Sequence, residues 1–153
     1  MAPVTAAEAD RQTLAERAAQ ALYDPDRASR ALGMRITAIA PQTCTVTMTV
    51  RADMTNGHRI CHGGMIFTLA DSAFAFACNS GGEPTVAASG SIDFLAAAYE
   101  GDELTACARE RWRGGRSGIY EVTITNQAGA TIALFRGRSH QVGRHSSKTR
   151  DPS

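Results

Sequence analysis

The chain lacks the features that would place it quickly. No apolar run is long enough to span a membrane: the longest, Met65 to Cys78, is too short and holds Asp71 in its middle. Cysteine is scarce, with four in 153 residues at Cys44, Cys61, Cys78 and Cys107 and no paired spacing, which excludes the disulfide framework of a small secreted scaffold. No basic segment followed by an apolar core opens the chain, so no secretory leader is expected and a reducing cytoplasm is the expected compartment. Net charge is almost absent at +1, which gives nucleic-acid binding no support. Repeats, heptads and low-complexity segments are missing as well. What is present is ordinary for one soluble globular domain, with 43% hydrophobic and 20% charged residues and enough length for a sizeable core.

The period of the apolar residues divides the chain into a helical preface over residues 1–32, a domain over 33–142 and a basic, polar tail over 143–153, expected to be a solvated, disordered end. Thr5 with Glu8 matches a capping box, and Leu14, Ala18 and Leu22 give the following helix one apolar stripe. Asp24-Pro25-Asp26 reads as a cap with proline at the first helical position, and Gly33 stops the short helix after it. The period then falls to two. Met34, Ile36 and Ala38 alternate with polar residues. Thr43 to Val50 is the cleanest strand, with Cys44, Val46, Met48 and Val50 on one face and threonines on the other. After the apolar run at Met65 to Cys78, four more strands are expected, near Thr85 to Leu95, Leu104 to Arg113, Tyr120 to Thr125 and Thr131 to Val142. Gly114 to Gly118 reads as a hairpin loop between the second and third of these. Short links imply an antiparallel sheet, and one long helix against five or six such strands is an α+β two-layer domain. A helix apolar on every side needs more cover than one flat sheet face supplies, so the sheet should curl around it and a second subunit should cover the far side.

The chemistry concentrates between Asn56 and Gly82. Gly63-Gly64 opens the apolar run, where the first N–H groups of a helix lack partners and favour negative charge. Asp71 lies two turns on, a lone carboxylate among Phe67, Ala70 and Phe74, where burial favours its neutral form. Eight residues separate Gly63 from Asp71, about 12 Å of helical rise. One reacting atom cannot touch both in a single chain. If the two act together they come from different chains, on helices antiparallel across a two-fold axis. In that arrangement the Gly63 N–H holds a carbonyl oxygen as it becomes an oxyanion, and Asp71 acts as general base on water or as nucleophile. The structural alternative is a hydrogen-bonded core carboxylate.

The neighbouring residues are less decisive. Asn56 presents an amide, but Asn-Gly is also a common turn. His62 suits either a helix cap or a catalytic imidazole. His58, Cys61 and His62 lack a clustered fourth ligand, so no metal is expected. Arg109, Arg111, Arg113, Arg116, Arg136 and Arg138 line the last strands, either as a solvated sheet edge or as a hold for a nucleotide phosphate.

The blocks Asn56-Gly57-His58, Cys61-His62-Gly63-Gly64, Leu69-Ala70-Asp71, Ser91-Ile92-Asp93-Phe94-Leu95 and Ala133-Leu134-Phe135-Arg136-Gly137 resemble the PaaI-type hotdog acyl-CoA thioesterases of phenylacetate degradation, over about residues 33–143. The resemblance implies a hotdog fold, dimers that pair into tetramers, and hydrolysis of an acyl-CoA thioester with no metal or prosthetic group. It implies Asp71 as the acid, the Gly63 amide as the carbonyl's partner, and Asn56 and His62 as supporting polar residues. It implies Ser89 as a hydroxyl near the attacking water; Gly64, Arg113 and Arg116 are the candidate substrate contacts beside it. Phenylacetyl-CoA and its ring-hydroxylated relatives are the implied substrates. The chain departs from the family at Ala96-Ala97-Ala98, where Arg-Pro is common. Two other readings stand beside hydrolysis: an enoyl-thioester dehydratase or isomerase on the same fold, and a non-catalytic acyl-CoA binding module.

Overall fold

A computed structural model describes residues 2–143; the expected tail over 143–153 lies outside the described residues apart from Gly143. Helix α1, Ala6–Tyr23, starts on the expected capping box: the Thr5 hydroxyl accepts from the Glu8 N–H, and the Glu8 carboxylate accepts from the Thr5 N–H at 2.8 Å. The face it buries differs from the expected one. Ala15 and Ala19, four apart, pack inward, while Leu14 and Leu22 stay largely exposed. Small residues let α1 approach the domain closely, which the longer leucine side chains would prevent. The cap of α2, Arg27–Ala31, is Asp26 rather than Asp24: its carboxylate accepts from the Ser29 N–H at 2.9 Å, and Asp24 instead ends α1. The Ser29 hydroxyl then meets Ser72 Oγ at 2.8 Å, tying α2 to the central helix.

Six antiparallel strands form one sheet: β1, Arg35–Ala40; β2, Thr43–Thr49; β3, Thr85–Phe94; β4, Glu103–Gly114; β5, Ser117–Thr125; and β6, Thr131–Gln141. Their spatial order is β1-β2-β4-β5-β6-β3, so β1 and β3 are the edges. The alternation read at Cys44, Val46, Met48 and Val50 holds, and all four are buried. In β1 a register shift between Ile36 and Ala38 leaves Ala38 exposed and turns Ile36 and Ile39 towards the core instead. The expected loop from Gly114 to Gly118 shrinks to a tight turn at Gly115 and Arg116, with Gly115 at φ +56°. No helix of the described residues is long and apolar enough to cross a membrane.

The concave side of the sheet wraps α3, Gly63–Cys78, which begins two residues earlier than the apolar run alone implies because His62 caps it. Ile66, Leu69, Ala70, Ala73, Phe74, Phe76 and Ala77 are buried against the sheet. Close approach depends on Gly137 of β6. A methyl there would lie 2.8 Å from the Phe74 ring and 2.9 Å from Phe135. Gly90 of β3 pairs with Gly137 and makes the same room for Phe135 and Phe67, whose rings meet edge-on at 5.3 Å. Gly137→Ala is therefore expected to cost about 1–3 kcal/mol by overpacking. Denaturant unfolding checks this, and an unchanged midpoint would show that α3 has slack against the sheet.

Candidate active site

The cover over α3 is incomplete. Gly64, Phe67, Thr68, Asp71 and Ala75 share one face of the helix and remain partly or fully exposed. Edge strand β3 borders this stripe: Phe94 lies with its ring 2.9 Å from where a Gly63 methyl would be, and Phe67 packs beside Gly90. Most of β3 is exposed, including Val86 and Phe94, and its outer edge carries unpaired backbone groups.

The start of α3 is held rigidly. The Cys61 N–H donates to the Ala98 carbonyl at 2.7 Å, the His62 N–H to the Met54 carbonyl at 2.8 Å, and Thr55 bridges Cys61. His62 Nδ1 accepts from the Gly64 N–H at 2.9 Å. A ring nitrogen that accepts carries no proton, so Nε2 faces outward as the position able to donate. The capping role of His62 is thus in place, and its second nitrogen is left over. The Gly63 N–H, by contrast, finds no acceptor among the described residues. It is a free donor at the positive end of a sixteen-residue helix.

Asp71 sits in the middle of the open stripe, half-buried. Burial alone pushes its carboxyl above the usual carboxylate range; no hydrogen bond or cation offsets the cost among the described residues. A hydrogen-bonded core carboxylate would show such partners, so that alternative is not what the geometry presents. Within this chain Asp71 and Gly63 remain two helical turns apart.

Asn56 spends its side-chain oxygen on the loop: Oδ1 accepts from the His58 N–H at 2.9 Å, bending the chain into a turn that Arg59 completes at φ +60°. Its NH2 group is left without a partner among the described residues. Ser89 does not join Asp71 in this chain. A register shift between Ala87 and Ser89 inserts an extra residue, so Gly90 faces α3 while Ser89 pairs with Arg138 on the outer face. Arg113 is exposed but already engaged, 3.1 Å from the Glu110 carboxylate and 3.4 Å from the Tyr120 hydroxyl. Tyr120 in turn donates to Glu110 at 2.6 Å and packs against Phe74 at 5.4 Å between ring centres. Arg116 stands in the turn with no ion pair among the described residues. His58, Cys61 and His62 do not converge, and among the described residues no three His, Cys, Asp or Glu side chains cluster as a metal site needs. One contact at the helix start was not legible as such from sequence: Phe94 over Gly63. Its only signal was the apolar end of the block Asp93-Phe94-Leu95.

A curled antiparallel sheet around one helix, with an unpartnered acid on the helix and a free N–H at its start, describes a hotdog thioesterase. The sequence model of the thioesterase superfamily matches residues 58–133. Acyl-coenzyme A thioesterase PaaI of Escherichia coli K12 is 50% identical over 125 residues, 82% of this chain and 89% of that protein. The solved structure of the E. coli PaaI protein superposes with a TM-score of 0.85 at 48% identity, covering 86% of this chain and 96% of the other. A mutant of phenylacetic acid degradation protein PaaI from Thermus thermophilus gives 0.74 at 36% identity, over 76% and 100%. A Streptococcus mutans protein bound to acetyl CoA gives 0.70 at 27%, over 72% and 89%. The chain belongs to the PaaI-type family of hotdog thioesterases, and its activity is thioester hydrolysis.

The raised Asp71 carboxyl makes two signed predictions. The folded state binds this proton more tightly than the unfolded chain, so the group's contribution to stability falls as pH rises from the ordinary carboxylate range through the raised value. Asp71→Asn removes that loss, and its melting temperature above this window should equal or exceed the wild type's. A role as base needs the ionised form, so kcat/KM should rise with pH through the same window. A melting temperature well below wild type would mean that the carboxylate holds the fold together.

Proposed function

We propose that this enzyme hydrolyses phenylacetyl-CoA and ring-hydroxylated phenylacetyl-CoA to the free acid and coenzyme A, at a site shared by two copies of the chain. The observation that carries the reading is the half-buried, unpartnered Asp71 on the one uncovered stripe of α3, beside an exposed edge strand. A second copy laid antiparallel along β3 would cover Phe67, Phe94 and Val86 and extend the hydrogen bonding of both sheets. It would also bring the partner subunit's Gly63 towards Asp71. Dimers of this kind pairing into tetramers are the proposed assembly, with coenzyme A entering only as part of the substrate and no cofactor. Four cysteines without a disulfide suit a reducing compartment, and the cytoplasm is the proposed one.

In the proposed reaction Asp71 takes a proton from water as the oxygen attacks the thioester carbonyl carbon. The carbonyl oxygen becomes an oxyanion facing the partner subunit's Gly63 N–H, a donor that no acceptor among the described residues competes for. Collapse breaks the C–S bond, and the thiolate leaves and takes up a proton. The His62 Nε2 and the Asn56 NH2, both without partners among the described residues, are the remaining polar groups of the helix start and its loop. Substrate class is carried by the relatives: one is named for acyl-coenzyme A, one for phenylacetic acid degradation, and one is bound to acetyl CoA.

A panel of acyl-CoA esters assayed for thiol release tests this. Aryl-acetyl esters should lead the panel, and Asp71→Ala should lower turnover by about 10²–10⁴-fold, the range of a general base, with the oligomer intact. Unchanged turnover in Asp71→Ala would remove Asp71 from the reaction. Double-bond movement without thiol release would transfer the fold to dehydratase or isomerase chemistry.

A further inference from the structure

Phe67 is the one large apolar side chain on the uncovered stripe of α3. Its neighbours there are small or turned away. Gly64 and Ala75 add no bulk, and the Thr68 hydroxyl bends back to donate to the Gly64 carbonyl at 2.8 Å. Phe74 and Phe76 of the same helix are 0% and 1% exposed, whereas Phe67 is only half-buried. Its ring is nevertheless held. Phe135 meets it edge-on at 5.3 Å, and its tip lies 3.4 Å from where a methyl on Gly90 would be. The missing side chain at Gly90 gives the ring a seat on β3, and part of the ring stays open on the stripe beside Asp71.

Two separate spacings put Phe67 at the two-fold axis of the proposed dimer. On helices antiparallel across such an axis, the midpoint between two opposed residues meets its own copy. Position 67 is midway between Gly63 and Asp71, four residues from each. The edge strand gives the same place without reference to the helix. Antiparallel pairing of β3, Thr85–Phe94, with its copy is longest when centred on its middle, at Ser89 and Gly90. Gly90 is where the Phe67 ring touches the strand. Four residues are about 6 Å of helical rise, so a carbonyl held at either Gly63 N–H lies about 6 Å along α3 from this point. Between the two the stripe carries only Gly64. Phe94, over Gly63, bounds the space at its other end. What remains is room for one ring beside the carbonyl.

We infer that Phe67 stands against the partner's Phe67 on the two-fold axis, and that this pair is an end wall common to both acyl pockets, setting the largest acyl group each accepts. The inference rests on the two-chain site proposed above and deepens it. Two measurements test it, one of them independent of activity. Phe67→Cys oxidised with diamide should run as a covalent dimer on a non-reducing gel, because facing Cβ atoms on the axis lie within disulfide reach. The wild type, whose Cys44, Cys61 and Cys78 are buried, is the control and should stay monomeric on that gel. Phe67→Ala removes the wall. Its ratio of kcat/KM for 1-naphthylacetyl-CoA over phenylacetyl-CoA should rise about tenfold or more above the wild-type ratio, the scale on which apolar pockets discriminate size. Phe67→Leu keeps more of the packing and should move the ratio the same way by less. Loss of stability alone lowers both esters together and leaves the ratio where it was. An unchanged ratio in both variants, or no cross-linking of Phe67→Cys, overturns the inference. Should phenylacetyl-CoA prove a poor ester while another acyl series turns over, the aryl reading falls. The wall then stands if Phe67→Ala extends that series to larger members, and falls with it if the size limit does not move.

Discussion

One sheet cannot enclose a helix that is apolar nearly all the way round. Six strands, with Tyr23 of α1 against Phe76, bury Ile66, Leu69, Ala73, Phe74 and Phe76, and they stop short of the stripe through Gly64, Phe67, Asp71 and Ala75. The rest of the molecule follows from that shortfall. The sheet ends at β3, its exposed edge runs beside the stripe, and both surfaces lack cover on the same side. An acid in that position is only partly solvated and has no partner among the described residues. Its raised carboxyl is a consequence of where the sheet stops.

The same shortfall separates the two halves of the proposed chemistry. A helix offers a free N–H only at its start, and Gly63 occupies that place because His62 caps Gly64 and leaves the preceding donor alone. The acid lies two turns away on a rigid rod. Glycines at 90 and 137 fix how closely the rod lies on the sheet, so no relaxation of the helix brings the two groups together. A two-chain site is the arrangement in which both serve one carbonyl.

Much of this was legible in the sequence. Period-two alternation marked Thr43 to Val50, the glycine pair marked the start of the central helix, and the carboxylate inside the apolar run marked the acid that the fold leaves half-buried and unpaired among the described residues. The misses share a physical cause, which is that local pattern does not record an inserted residue or a competing partner. A bulge displaced Ala38 from the alternation of β1, and another sits before Ser89, where period-two counting does not carry across. Leu14 and Leu22 looked like the buried stripe of α1, but close packing selected Ala15 and Ala19. Glu110 and Tyr120, which bond Arg113, reach it through strand register, so the spacing of the arginines did not announce them.

The central claim is that one site draws Asp71 and Gly63 from different chains. Subunit mixing tests it most directly. Asp71→Asn removes the base, and Gly63→Pro removes the donor N–H at a first helical position that suits proline once the exposed Phe94 ring swings aside for the added Cβ. Each variant alone should be inactive. When the two are unfolded, mixed in equal amounts and refolded, hybrid dimers carry one intact site each, and activity should return to about a quarter of the wild-type value for random two-fold pairing. No recovery in hybrids whose presence is confirmed by mass would contradict the account, because a site built within one chain leaves every hybrid site broken.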